Sequence, residues 1–140
     1  MRRPSRGSPS DRRPVVSSNL ASRMPAGVAF LVDVAFVLVF AAVGRATHDQ
    51  VNPVLGVLAT AWPFLVGLAV GWTLVRSLSH QWALNVGPAI SVVVVTVVVG
   101  MLLRALTGQG TAPSFVLVAT LVLAALLLGW RAVAARVARS

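Results

Sequence analysis

Apolar residues run almost unbroken for about twenty positions in four places along this chain, and each run opens on a proline. The runs cover 25–44, 53–75, 88–106 and 113–130. A helix rising ~1.5 Å per residue needs ~20 residues to cross the ~30 Å hydrocarbon core of a bilayer. None of the four has the polar face that a helix or strand at the surface of a water-soluble domain requires. The pattern predicts an all-α polytopic membrane protein, a four-transmembrane-helix antiparallel bundle. It divides the chain into an Arg/Pro/Ser-rich arm (1–24), a transmembrane domain (25–131) and a basic tail (132–140).

The valine run from Val92 to Val99 would read as a buried strand in water. Here it lies inside an apolar span of helical length. In lipid an unpaired backbone costs far more than β-branching costs a helix, so a helix is expected. The prolines at Pro25, Pro53, Pro88 and Pro113 fit helix starts, where the first N–H groups have no intrahelical partner to lose. Pro63 is different, because it falls inside the second span, where it removes one hydrogen bond and predicts a kink.

Composition agrees, with 57% hydrophobic residues against 11% charged, too few polar side chains to cover a soluble domain. The formal charge is +9, and all twelve basic residues are arginine. Their placement decides what that charge means. Only Arg45 and Arg104 flank one side of the spans. The other ten precede the first span, follow the second (Arg76) or follow the fourth (Arg131, Arg136, Arg139). That bias places both termini in the cytoplasm of a cell whose plasma membrane the chain crosses four times. Trp72, Trp82 and Trp130 fall at the same boundary, where amphipathic rings prefer to lie. The arm has too little apolar surface to order itself. It reads either as a solvated orientation signal or as a contact for anionic lipid, and nucleic acid is not expected as a partner.

Asp33 is the one acidic residue within a span, roughly 10 Å along the first helix from Pro25 at ~1.5 Å per residue. A mid-bilayer charge costs ~2.5 to 3.5 kcal/mol on insertion scales, so Asp33 is expected to face the bundle. Arg76, on the same side of the bilayer, is the expected partner, with His80 second. Two roles are open for Asp33, a proton or ion relay and a structural anchor between helices. On the outer side Arg45, His48, Asp49 and Arg104 form either an anion-binding mouth or a polar cap. Gly67 with Gly71 in the second span, and Thr96 with Gly100 in the third, have the small-xxx-small spacing of close helix packing or of a dimer face.

Spans one and two resemble spans three and four. Asn52-Pro53 answers Ala112-Pro113, Gly71-Trp72 answers Gly129-Trp130, and Arg45 answers Arg104. This is the pattern of a parallel duplication.

The chain also resembles an uncharacterised actinobacterial family of small integral membrane proteins, a domain of unknown function. The resemblance rests on Val32-Asp33-Val34, Gly44-Arg45 with His48, Trp62-Pro63-Phe64 and Gly71-Trp72. It continues through Gly100-Met101-Leu102-Leu103-Arg104 and Phe115, within the region from Phe30 to Arg131. It implies no activity, and it marks Asp33, Arg45, His48 and Arg104 as characteristic polar positions.

The chain has no cysteine. It has no phosphate loop or paired carboxylates, and its histidines are expected on opposite sides of the membrane. Neither an enzyme, a metal site nor a bound cofactor is expected. Two functions are compatible with this inventory. One is a structural or accessory membrane component that docks on a second copy or a membrane-protein partner. The other is a small oligomeric transporter or channel with Asp33 on its path.

Overall fold

A computed structural model describes residues 23–45 and 52–140, and His48 and Asp49 lie outside the described residues. Four helices account for nearly all of them: α1 (Ala26–Arg45), α2 (Pro53–Ser79), α3 (Val86–Leu106) and α4 (Pro113–Val137). All four are long and apolar enough to cross a membrane, the composition of a multi-pass membrane protein. No strand occurs among the described residues, so the valine run is helical within α3.

Each helix starts at or beside its proline. The carbonyl of Pro25 accepts the N–H groups of Val28 and Ala29, at 3.0 and 3.2 Å, and so opens α1. Pro53 and Pro113 occupy the first turns of α2 and α4. α3 begins two residues ahead of Pro88, at Val86. α2 continues through Pro63, which is fully buried.

Two helices overrun their expected ends. α2 reaches Ser79 rather than residue 75, and α4 reaches Val137 rather than 130. Most of the stretch expected as a separate tail therefore continues α4. Hydropathy measures how much chain prefers lipid, whereas the hydrogen-bond ladder persists as long as the residues are good helix formers. Ala132, Ala134, Ala135 and Arg136 are all of that kind.

The helices meet in a ring, α1 against α2, α2 against α3, α3 against α4, and α4 back against α1. Each presents a narrow buried stripe at a spacing of three or four residues, the i±4 ridge that interlocks helices. In α1 the stripe is Ala29, Asp33, Val37, Phe40 and Ala41. In α4 it is Ala119, Leu123, Leu127 and Arg131. Outside the stripes the surface is apolar: Leu31, Val43, Leu55, Leu78, Val98 and Leu106 are all more than 60% exposed or close to it. Only 22% to 33% of each apolar window is buried inside the bundle, so most of each apolar surface faces outward.

The tightest seam joins α2 to α3. A Cβ built on Gly67 would lie 2.6 Å from the carbonyl oxygen of Thr96, and one on Gly71 would lie 3.1 Å from that of Val92. Both neighbours are backbone and cannot swing aside. A Cβ on Gly100 would lie 2.5 Å from the Phe64 ring. All four small residues named from the sequence therefore lie in one seam within this chain. The Thr96 hydroxyl donates to its own helix at Val92 O, 2.7 Å away, so the seam contains no unsatisfied polar group.

Candidate functional site: a buried ion pair

Asp33 is fully buried, and four donors converge on its carboxylate. Arg131 grips it with both terminal nitrogens, Nη1 to Oδ1 and Nη2 to Oδ2, each at 2.8 Å. The indole N–H of Trp72 donates to Oδ2 and that of Trp130 to Oδ1, both at 2.9 Å. A carboxylate offers about four lone-pair sites, so this one is saturated. The parallel two-bond fork is the strongest geometry available to an arginine and a carboxylate.

Arg131 is buried as deeply, at 1% exposed. Nη1 also donates to the carbonyl of Leu127 at 2.6 Å, one turn back in α4. Nε and Nη2 donate to the carbonyl of Ala83, at 3.0 and 2.8 Å. Ala83 is the middle residue of a tight turn between α2 and α3, closed by Leu84 N–H on Trp82 O at 2.8 Å. The guanidinium also lies 4.5 Å from the centre of the Trp130 ring and 5.9 Å from that of Trp72. Residues of α1, α2, α4 and the α2–α3 turn thus meet at one neutral, fully hydrogen-bonded centre.

The structure corrects the expected partner. Arg76 does not reach Asp33. Its Nη1 donates to the carbonyl of His80, and its guanidinium lies 4.8 Å from the centre of the Trp82 ring. His80 does not reach Asp33 either. It ends α2 in the left-handed conformation, φ 57°, with its N–H on Arg76 O at 3.1 Å. Arg131 was the residue that charge counting hid, because an arginine just past an apolar run reads as an orientation signal. A signal was present. Arg131 continues the four-residue spacing of Ala119, Leu123 and Leu127, which puts it on the buried stripe.

Arg45 and Arg104 go separate ways. Arg45 donates to the Thr60 hydroxyl at 3.4 Å and lies across Gly56 of α2. Arg104 turns onto the α3–α4 connection, bonding Gly110 O at 3.2 Å and both Gln109 O and Gln109 Oε1 at 3.0 Å. Gly108 and Gly110, with φ 69° and 79°, supply the left-handed backbone that wraps these carbonyls around it. Its guanidinium also caps the Phe115 ring at 4.3 Å. Among the described residues the two arginines share no partner and form no common mouth. Among the described residues no cluster of His, Cys, Asp or Glu has the makings of a metal site.

Four membrane-length helices locked by a buried carboxylate–guanidinium pair define a small helical multi-pass membrane protein. The chain belongs to the family described as protein of unknown function (DUF3054), whose model matches residues 30–134. The matched region contains the whole ion-pair centre. No curated protein and no solved structure matches the chain.

Proposed function

We propose that this protein is a non-enzymatic structural or accessory component of the bacterial plasma membrane. In this reading the helices run antiparallel with both termini cytoplasmic, and the exterior docks on a second copy or a membrane-protein partner. The basic arm rests against anionic lipid. One observation carries the choice of a structural over a transport role. Asp33 has no exposed surface, and all its acceptor sites are filled by Arg131, Trp72 and Trp130. A relay carboxylate must release or accept a proton through water or a mobile neighbour, whereas this one would first have to break a bidentate pair and two indole bonds. The same bonds fit an anchor, because a buried pair is costly to break from one side.

The test is charge movement in liposomes containing the purified chain, under pH and ion gradients, for the natural sequence and Asp33→Asn. Neither should carry current, while Asp33→Asn should unfold more readily. A current in the natural chain that vanishes in a folded, inserted Asp33→Asn would overturn the structural reading and put Asp33 on a conduction path.

A further inference from the structure

A second feature adjoins the ion pair without belonging to it. A cavity of about 460 Å³ opens between the start of α1 and the end of α2. Phe30, Ala69, Trp72, Thr73 and Trp82 line it, and Arg76 stands over one end. The walls are aromatic: Phe30 meets Trp72 edge-on at 5.7 Å, and Trp72 lies 6.3 Å from Trp82. At ~1.5 Å per residue Ala69 lies about 10 Å along α2 from Arg76, toward the middle of the helix. The cavity is therefore apolar at depth and cationic at its rim. A shallower depression of about 350 Å³, lined by Val70 and Leu74, shares Ala69, Thr73 and Ser77 with it. The two depressions therefore adjoin along these small residues.

Among the described residues no carboxylate meets the charge at the rim. Arg76 is exposed, and of its five N–H donors the described residues supply an acceptor for one, the His80 carbonyl. The sequence has three acidic residues against twelve arginines, and Asp33, the acidic residue among those described, is saturated by Arg131. Trp82 holds the Arg76 guanidinium at 4.8 Å, so the cation is positioned rather than free to sweep. An amphipathic aromatic wall under a positioned arginine is the arrangement found at the headgroup level of a bilayer.

We propose that this cavity is a binding site for an anionic phospholipid, resting on the membrane placement proposed above. The phosphate pairs with Arg76, one acyl chain lies against Phe30, Trp72 and Trp82, and the second lies along Val70 and Leu74. Charge complementarity selects the occupant: an acyl chain alone leaves Arg76 unmatched, and a free phosphate leaves the aromatic walls uncovered. Because the Trp72 ring forms one wall while its N–H holds Asp33, the lipid would brace the ion-pair centre from outside.

The test uses the full-length chain with Trp62→Phe and Trp130→Phe, leaving Trp72 and Trp82 as reporters. It is placed in vesicles in which either phosphatidylglycerol or phosphatidylcholine has brominated, quenching acyl chains. With ~1 kcal/mol available per arginine near an anionic headgroup, preference for phosphatidylglycerol should be about five-fold. Arg76→Gln should abolish it and Arg76→Lys should keep most of it. Arg136→Gln with Arg139→Gln should leave it unchanged. Equal quenching by both lipids, or a preference lost with Arg136 and Arg139 but kept in Arg76→Gln, would overturn the site. Release of the brominated lipid by inorganic phosphate would also overturn it, leaving an anion site in place of a lipid site. Flotation with the vesicles separates the two proposals. A chain that fails to float removes the membrane placement itself, whereas one that floats but shows no preference removes only the lipid site.

Discussion

α1 and α4 are tied together at two places that use opposite physics. Toward the start of α1, Asp33 is locked to Arg131 by a bidentate ion pair with two indole bonds. Farther along α1, Phe40, Phe64 and Phe115 form an aromatic cluster, with Phe40 and Phe64 edge-to-face at 5.3 Å and Phe115 about 6.4 Å from Phe40. In water the aromatic cluster would gain from burial, whereas leaving the solvent would cost the ion pair. In lipid the aromatic cluster gains little by leaving its surroundings, since acyl chains are as apolar as its neighbours, and what it contributes is shape. The ion pair has no lipid substitute. Each charge finds its counter-charge in the other, which makes the pair specific about which helices meet and at what height.

The difference can be broken most sharply at Asp33. Asp33→Ala leaves the Arg131 guanidinium buried without a counter-charge, and unfolding in detergent should show a loss of about 3–5 kcal/mol. Removing both ends together, Asp33→Leu with Arg131→Leu, should recover most of that loss, because a buried pair can often be replaced by apolar residues at little cost. A double variant as unstable as Asp33→Ala would show that the centre contributes more than its ion pair. Between the two ends lies the α2–α3 seam, where Gly67→Ala drives a methyl against the Thr96 backbone. Overpacking of this kind costs roughly 1–3 kcal/mol, and the same unfolding assay should rank it second. At the aromatic end Phe40→Leu keeps most of the volume and should cost about 1 kcal/mol, measured as a shift of thermal midpoint. Smallest is Trp130→Phe, which removes one of four donors to Asp33. Polar contacts between membrane helices average ~0.6 kcal/mol, so a double-mutant cycle with Asp33→Asn is needed to resolve it. If Phe40→Leu proved costlier than Asp33→Ala, the contrast between the two ends would be reversed.

The Gly71-Trp72 and Gly129-Trp130 pairs, which suggested a duplication, carry the two indoles that bind the two oxygens of Asp33. The arginines that follow them differ. The next arginine after Trp72 is Arg76, one turn on and at the surface, while Arg131 follows Trp130 directly and is buried. At ~100° per residue, Arg76 lies about 40° around its helix from Trp72, whereas Arg131 lies about 100° around from Trp130, which places the two guanidinium groups differently relative to their indoles.

Much of the architecture was written in one dimension. Length and hydropathy determined four helices, and prolines marked where they start to within two residues, because both are properties of a single segment against its solvent. Small residues at four-residue spacing marked the faces of α2 and α3 that approach each other, again from local periodicity. The carboxylate in the first span was legible as a buried group for the same reason, since no isolated charge is stable in lipid. Its partner was not. Which of several arginines at one end of the bundle meets Asp33 depends on how α4, 98 residues away, is rotated against α1. Side-chain packing around the ring sets that rotation, not any segment's preference for lipid. The same holds for the turn at Ala83, whose carbonyl faces Arg131 only because two helices and a loop converge there. Sequence alone determined what must be buried, and tertiary structure alone decided against what, because burial follows from one residue's solvation and pairing from the relative placement of two helices.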